Sequence, residues 1–284
     1  MTTPTPSAFD PQAFAGTAEY YAVGRPPYSS LLSDTMTREL SLDGTGDLLD
    51  VGCGPGVLAL ALAQLFDHVT ALDPEPGMLD VGRRRCQASG VANVRWMQAV
   101  AEDIETMNLP SPRVVTFGQS FHRVRRLEVA EAVYDILVPG GSLVLVSHHR
   151  DDRRPQPTDP GYPEIPHAAV RELVLDYLGD QTRDYLATWN EGQPARFEDT
   201  LSQTRFGGCR TIYAPGRSDL TRDIDTVVAN CFSMSYSAPR WFGTRRAEFE
   251  ADLRHLLQTH SPDGLFWEWP GDTELVIATK PATS

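Results

Sequence analysis

Apolar positions along this chain switch between two periods. From Asp47 to Ser147, apolar runs of strand length alternate with segments whose apolar residues recur at helical spacing. Leu48 to Val51 is the first run, and His68 to Asp73 is a second that ends in an acid. Asn93 to Val100, Val114 to Ser120 and Ser142 to Ser147 follow. Between them lie the dense apolar segment Val57 to Phe66, a helix over Pro76 to Ser89 closed by Gly90, and a helix marked by Leu127, Ala130, Val133, Tyr134 and Leu137. Pro139-Gly140-Gly141 turns the last helix into the fifth strand. Continuous apolar strands separated by helices predict an α/β fold. Its sheet is mostly parallel, doubly wound by right-handed crossovers, with helices on both faces.

The flanks read differently. Leu31, Leu32, Met36 and Leu40 predict a short helix, broken by Ser41 to Gly46. Before it, Phe14 to Tyr28 carries three tyrosines and Arg25 beside Pro26-Pro27, which must be extended or turning. After the fifth strand, His148 to Pro163 is a charged, proline-rich linker. Helices are expected over 168–186, 197–201, 224–232 and 247–257, a short strand over 210–213, and a last strand from Glu274 to Thr279. These divide the chain into a lid (1–40), a core (41–150), a helical cap with a strand near 208–214 (151–245), and a C-terminal helix with the last core strand (246–284). Tyr177, Tyr185, Trp189, Phe206, Tyr213, Phe232, Tyr236, Trp241 and Phe242 make the cap aromatic. Most of these read as a packed helical cap, and those that face the crevice are expected to make a largely apolar pocket for a small organic acceptor.

Charge narrows the partners. With 284 residues and a formal net charge of −13, the chain lacks the basic stripe that nucleic acid requires. An anionic membrane surface is disfavoured on the same ground. No apolar run approaches the ~20 residues of a membrane span. The N-terminus lacks the basic and apolar regions of a signal peptide, so a soluble, cytoplasmic protein is expected, as monomer or homodimer. Cys53, Cys86, Cys209 and Cys231 show neither a C-x-x-C pair nor a histidine at zinc spacing. They read as buried reduced thiols, and no metal is expected.

The chemistry concentrates after the first strand, in Asp50-Val51-Gly52-Cys53-Gly54-Pro55-Gly56. Glycines there allow positive φ and let a ligand approach bare backbone at a helix N-terminus. The dinucleotide fingerprint is G-x-G-x-x-G, but here the third glycine comes one place early and Val57 stands at the fingerprint position. Asp50 is badly placed for phosphates and suits an ammonium. Asp73, at the tip of the second strand, stands where a carboxylate would accept from both hydroxyls of a ribose. A nucleoside joined to an amino acid satisfies both acids.

On these motifs the chain resembles the class I S-adenosylmethionine-dependent methyltransferases. Leu48 to Gly56 is similar to their first motif, and Asp73-Pro74-x-Pro76-x-Met78 to the one after the second strand. Ala101-Glu102-Asp103 is similar to the adenine-reading segment, Gly118-Gln119-Ser120-Phe121-His122 to the end of the fourth strand, and Leu137 to Gly141 to the turn before the fifth. Ala18-x-x-Tyr21-x-x-x-Arg25-Pro-x-Tyr28 resembles the lid of the small-molecule subgroup of the methyltransferase type 11, or trans-aconitate, kind. The resemblance implies a seven-stranded sheet with an antiparallel last strand and S-adenosyl-L-methionine as cofactor. It also implies methyl transfer to a small molecule, on oxygen or nitrogen, as in secondary metabolism. Asp50 and the backbone of Gly52, Gly54 and Gly56 would hold the methionine part, and Asp73 the ribose. Met78, Ala101 and Glu102 or Asp103 would hold the adenine, with Gln119 beside it and Tyr21 and Arg25 closing the lid. Three places depart from the family pattern. Val100 stands where many relatives carry an acid, Arg123 where they carry Trp, and Arg113 where the fourth strand usually starts with Asp.

His122 is the candidate base or acceptor-positioning group, since its ordinary pKa lies near neutrality. A structural imidazole is the alternative, and His148 and His149 rank below it. Arg123, Arg125 and Arg126 read as a solvated turn paired with acids such as Glu128 and Glu131. Two further functional classes fit less well: an NAD-type oxidoreductase, and a module that binds S-adenosylmethionine without methylating.

Overall fold

A computed structural model describes residues 12–150, 161–179, 196–217 and 220–282. Strands β1 (Asp47–Val51), β2 (His68–Asp73), β3 (Val94–Gln98), β4 (Val114–Gly118) and β5 (Ser142–His149) run parallel. With β6 (Arg210–Ala214) and β9 (Asp272–Thr279) they form a seven-stranded sheet in the order β3-β2-β1-β4-β5-β9-β6. β9 is antiparallel to both neighbours, β5 and β6. The doubly wound, mostly parallel architecture expected from the alternation is the one observed. The order reverses beside β1, and in such sheets the crevice at the strands' C-terminal ends holds the ligand.

Helices cover both faces because each presents one apolar stripe. On one face α2 (Leu32–Leu40) and α3 (Val57–Leu62) pack Leu32, Met36, Leu58 and Leu62 against Leu48, Val144 and Ile277. On the other, α5 (Arg126–Ile136) sets Val129, Ala130 and Val133 on Leu49, Val115 and Leu143. α4 (Pro76–Ser89) begins at the Glu75 cap, whose carboxylate accepts from the Gly77 amide, and ends at Gly90 in the left-handed conformation. Its Gly82 packs flat against the Trp96 ring of β3.

The region after β5 departs from expectation in several places. His148 and His149 stay within the strand, paired with Thr273 and Asp272, so the linker starts later. α6 spans His167–Leu178 and ends at Gly179, short of the helix expected over 168–186; residues 180–186, Tyr185 among them, lie outside the described residues, as does Trp189. α7 (Phe197–Ser202) joins the core face of α5. α8 (Ile224–Phe232), α9 (Pro239–Phe242) and α10 (Arg246–His260) build a third apolar cluster with α6. The C-terminal helix α10 therefore packs with the cap and not on the sheet: Phe249, Leu253 and Leu257 meet Phe232 and Phe242. Several elements were not expected: the short α9, α1 (Ala18–Gly24), which lies against α8, and a small antiparallel sheet of β7 (Leu220–Asp223) with β8 (Leu265–Glu268). No helix among the described residues is long and apolar enough to cross a membrane. All four cysteines are free; Cys53, Cys86 and Cys231 are buried, whereas Cys209 is partly exposed.

Candidate functional site

The glycine loop follows β1 directly. Gly54 combines a φ of 53° with open space, since an added Cβ would meet nothing nearer than Tyr21 at 3.9 Å and the Met78 sulfur at 4.0 Å. Gly56 has the opposite reason to be glycine: a Cβ there would lie 2.4 Å from the Trp96 ring. The loop is pinned to β2 by the Cys53 amide, which donates to the Leu72 carbonyl (3.0 Å), and by the Gly54 amide, which donates to Asp73 Oδ2 (2.8 Å).

Both acids are built in firmly. Asp50 is buried, its Oδ1 accepting from the Thr116 hydroxyl (2.8 Å) and its Oδ2 from the Ala59 amide (3.1 Å). Burial raises its carboxyl to about 7, against the pull of those two donors. Asp73 Oδ1 accepts from the Glu75 amide (2.9 Å), and burial raises this carboxyl to about 6. Each Asp73 oxygen still has a free lone pair, so a ribose diol can be accommodated.

Two cavities open at the strands' C-terminal ends. The larger, about 400 Å³, is lined by Phe14, Gly54, Asp73, Met78, Ala101, Glu102 and Asp103 among others. The second, about 280 Å³, is lined by Arg25, Tyr28, Asp50, His148, Asn230, Met234 and Glu268 among others. Tyr21, Gly52, Gly118 and Gln119 line both. Gln119 holds a φ of 54°, rare for a side-chain-bearing residue, while its amide donates to the Val146 carbonyl (2.9 Å). Strained backbone of this kind is found at ligand clamps. The donor set suits an amino-acid nucleoside. Asp73 and a flat apolar floor of Met78 and Ala101 occupy one cavity, and Asp50 and the Arg25 guanidinium the other. Arg25 Nη2 donates to the Ser233 carbonyl (3.1 Å), its guanidinium carbon lies 4.7 Å from the Tyr21 ring centroid, and its Nε is buried without a hydrogen-bond partner.

Most residues expected at the site thus gather around these cavities: Tyr21, Arg25, Asp50, Gly52, Gly54, Asp73, Met78, Ala101, Glu102, Asp103 and Gln119. Gly56 lines neither and shapes the turn. His122 also lines neither. It sits in a 3₁₀ turn over Phe121–Arg123, where burial lowers its pKa to about 3. His148, ranked lower, faces the smaller cavity. It stacks on Tyr28 (4.9 Å between centroids) and donates a hydrogen bond to the Pro26 carbonyl, while its Nδ1 is buried without a hydrogen-bond partner; burial lowers its pKa to about 4 against the pull of Pro26.

The arginine turn divides. Arg125 pairs with Glu128 at 2.6 Å in solvent, as expected. Arg126 is only 2% exposed and lies over the Phe197 ring, and Arg123 lines the larger cavity and reaches the Ser235 hydroxyl (2.5 Å), so the solvated-turn reading fails for both. Phe232, Phe242, Tyr177 and Phe249 stack on one another as a packed cap, and among the described residues His167, Asn230 and Met234 of this region, with Glu268 of β8, line the smaller cavity. A polar residue inside the apolar run of α8, and an acid inside Leu265-Phe-Trp-Glu-Trp269, were the signals that could have found Asn230 and Glu268.

The chain is similar to several known proteins. A family described as Methyltransferase domain matches residues 48–141. An uncharacterized methyltransferase-like protein of Schizosaccharomyces pombe is 30% identical over 247 residues, 84% of this chain and 83% of its own length. The ubiquinone biosynthesis O-methyltransferase of Xylella fastidiosa is 31% identical over 117 residues; the match takes in 41% of this chain and 47% of that enzyme, so it spans about half the relative. Among solved structures, the YcgJ protein of Bacillus subtilis covers 88% of this chain and 98% of its own at 17% identity and a TM-score of 0.47. A SAM-dependent methyltransferase of Aquifex aeolicus covers 50% and 78% at 20% identity and a TM-score of 0.40.

Proposed function

The chain belongs to the class I S-adenosylmethionine-dependent methyltransferases, and from that premise we propose that it methylates a small-molecule acceptor on oxygen or nitrogen. S-adenosylmethionine is its cofactor. The observation that carries the proposal is the pair of cavities joined across Tyr21, Gly52, Gly118 and Gln119, one suited to an adenosine and the other to an amino-acid tail with an acceptor beside it.

In this reading Asp73 holds the ribose hydroxyls and Met78 with Ala101 packs against the adenine. Asp103 is the better choice for the adenine amino group, because Glu102 already accepts from the Arg125 amide (3.0 Å). Asp50 faces the ammonium, Arg25 the carboxylate, and Tyr21 closes over both, which makes the N-terminal segment a lid of the trans-aconitate kind. The region after β5 sets specificity. Bound S-adenosylmethionine supplies a methyl group on a sulfonium, already activated, so the protein's share is orientation and exclusion of water. His148, kept neutral by burial, offers Nδ1 to the proton that the acceptor loses.

Thermal-shift titration with S-adenosylmethionine, S-adenosylhomocysteine and NAD, followed by labelled-methyl transfer into a small-molecule extract, tests the proposal. Stabilisation by the first two and a labelled product are expected. Stabilisation by NAD alone, or tight binding of the donor with no product, would sink it.

A further inference from the structure

Three side chains from three different elements line the smaller cavity, and each has one buried polar atom without a hydrogen-bond partner. The atoms are His148 Nδ1 of β5, Asn230 Oδ1 of α8 and Glu268 Oε2 of β8. Glu268 has a charge neighbour in Arg222, but the 3.5 Å contact between Oε2 and Nε does not make a hydrogen bond, and Arg222 spends Nη2 on the carbonyls of Gly24 and Thr226. A buried acceptor without a hydrogen bond costs about 1–3 kcal/mol, so a ligand that brings donors to these three side chains is favoured. Arg25 Nε, which is also buried without a hydrogen-bond partner, is a donor and belongs with the carboxylate of the methionine part.

Resting on the methyltransferase reading above, we infer that His148, Asn230 and Glu268 form the acceptor subsite, and that the acceptor is a small molecule with at least two neighbouring hydrogen-bond donors, such as a diol, a catechol or an amino alcohol. One donor is the nucleophile and loses its proton to His148; the others are read by Asn230 and Glu268. A carboxylate acceptor would place its oxygens against three acceptors and is disfavoured. About 280 Å³ lies just under the ~300–1,000 Å³ of ligand cavities, and the methionine end must share it, so the acceptor is small.

Two measurements test the inference. S-adenosylhomocysteine is titrated calorimetrically into the wild type and the variants N230L, H148F and E268Q, and labelled-methyl transfer into a small-molecule extract is followed for each. H148F keeps the stacking on Tyr28, and N230L keeps the side-chain volume. Affinity for S-adenosylhomocysteine is expected to hold within about twofold while transfer falls at least ~10-fold, the value of one buried hydrogen bond. A matching loss of S-adenosylhomocysteine affinity in N230L and H148F would assign the orphans to the cofactor and overturn the subsite. With a ¹³C-methyl donor, the product is expected to be a methyl ether or methylamine stable to mild alkali; an alkali-labile methyl ester or a C-methyl product would overturn the acceptor class. A wild type that does not bind S-adenosylhomocysteine would instead sink the methyltransferase reading itself.

Discussion

Asp73 accepts a 2.8 Å hydrogen bond from the backbone amide of Gly54, 19 residues earlier, and so locks the tip of one strand to the loop after its neighbour. The carboxylate does two things from one place. It fixes the loop conformation that exposes backbone to the cavity, and it keeps lone pairs for a ligand. Loop geometry and ribose recognition are therefore coupled through one side chain.

Asp73→Asn tests that coupling. The amide keeps the shape but can accept through one oxygen only, so either the Gly54 bond or the Glu75 bond is lost along with the charge. Hydrogen bonds to charged groups contribute ~1.5–3 kcal/mol, so S-adenosylhomocysteine should bind about 10–100-fold more weakly by calorimetry. Unchanged affinity would mean that the ribose is held elsewhere.

Ligand affinity should rise with pH through the slightly acidic range. Without ligand, Asp50 and Asp73 are raised from 3.8 to about 7 and about 6, so near pH 5.5 both hold protons to a large extent. An ammonium facing Asp50 and hydroxyls donating to Asp73 both favour the ionised forms, so binding releases protons. Affinity for S-adenosylhomocysteine should increase between about pH 5 and 7.5 and level off above. A flat profile would separate the two acids from the ligand.

The same groups give the fold opposing pH responses. Raised carboxyls make the folded state bind protons more tightly than the unfolded chain, a stabilisation present below the ordinary carboxyl value and lost as pH rises through about 6 to 7. His122 and His148 are lowered from 6.5 to about 3 and about 4, so their stabilisation is present above 6.5 and lost as pH falls toward those values. H148F should therefore flatten part of the acid-side loss in a thermal-melt series from pH 7 to 4. An unaltered acid limb would show that His148 titrates normally.

Close packing of α4 on β3 sets a second kind of limit. A Cβ on Gly82 would sit 2.3 Å from the Trp96 ring, and Gly82 has an ordinary helical φ, so the conflict is purely one of space. Gly82→Ala should cost about 1–3 kcal/mol in denaturant unfolding. Trp96→Phe, with a shorter ring, should recover part of that loss in the double variant. If Gly82→Ala is neutral alone, the contact is looser than it stands.

What could be read in the chain beforehand follows physical lines. The inner parallel strands β1, β4 and β5 were legible because a strand buried on both faces must be largely apolar, while the edge strand β3, half exposed and carrying Arg95 and Gln98, was found from its place in the alternation. β7 and β8 were not: Leu220-Thr-Arg-Asp223 carries no alternation, and its pairing with Leu265 to Glu268 is made across more than 40 residues of chain. α1 was hidden behind Pro26-Pro27, which suggested extended chain up to the point where the helix ends. The glycine loop and Asp73 were legible from spacing alone. The place of His148 was not legible, because the sequence does not say how far β5 runs. Once the strand continues to His149, pairing with β9 carries His148 to the cavity rim.

The chain's one lysine offers a last test, because its role is purely structural. Lys280 Nζ donates to the carbonyls of Tyr134 and Leu137 at 2.8 Å each, and approaches that of Asp135 at 3.4 Å. These are the orphan carbonyls at the C-terminal end of α5, whose own last turn carries no basic residue. A cation there satisfies the acceptors and opposes the helix dipole, and it also ties the end of β9 to the helix. Lys280→Met keeps the stem and removes the charge and the donors. The loss should be about 1–3 kcal/mol in denaturant unfolding, with affinity for S-adenosylhomocysteine unchanged because the site lies at the opposite end of the strands. Acetylation of the purified protein should lower stability by a similar amount, since it has a single ε-amino target. Full stability in both would mean that water replaces the ammonium at those carbonyls without cost.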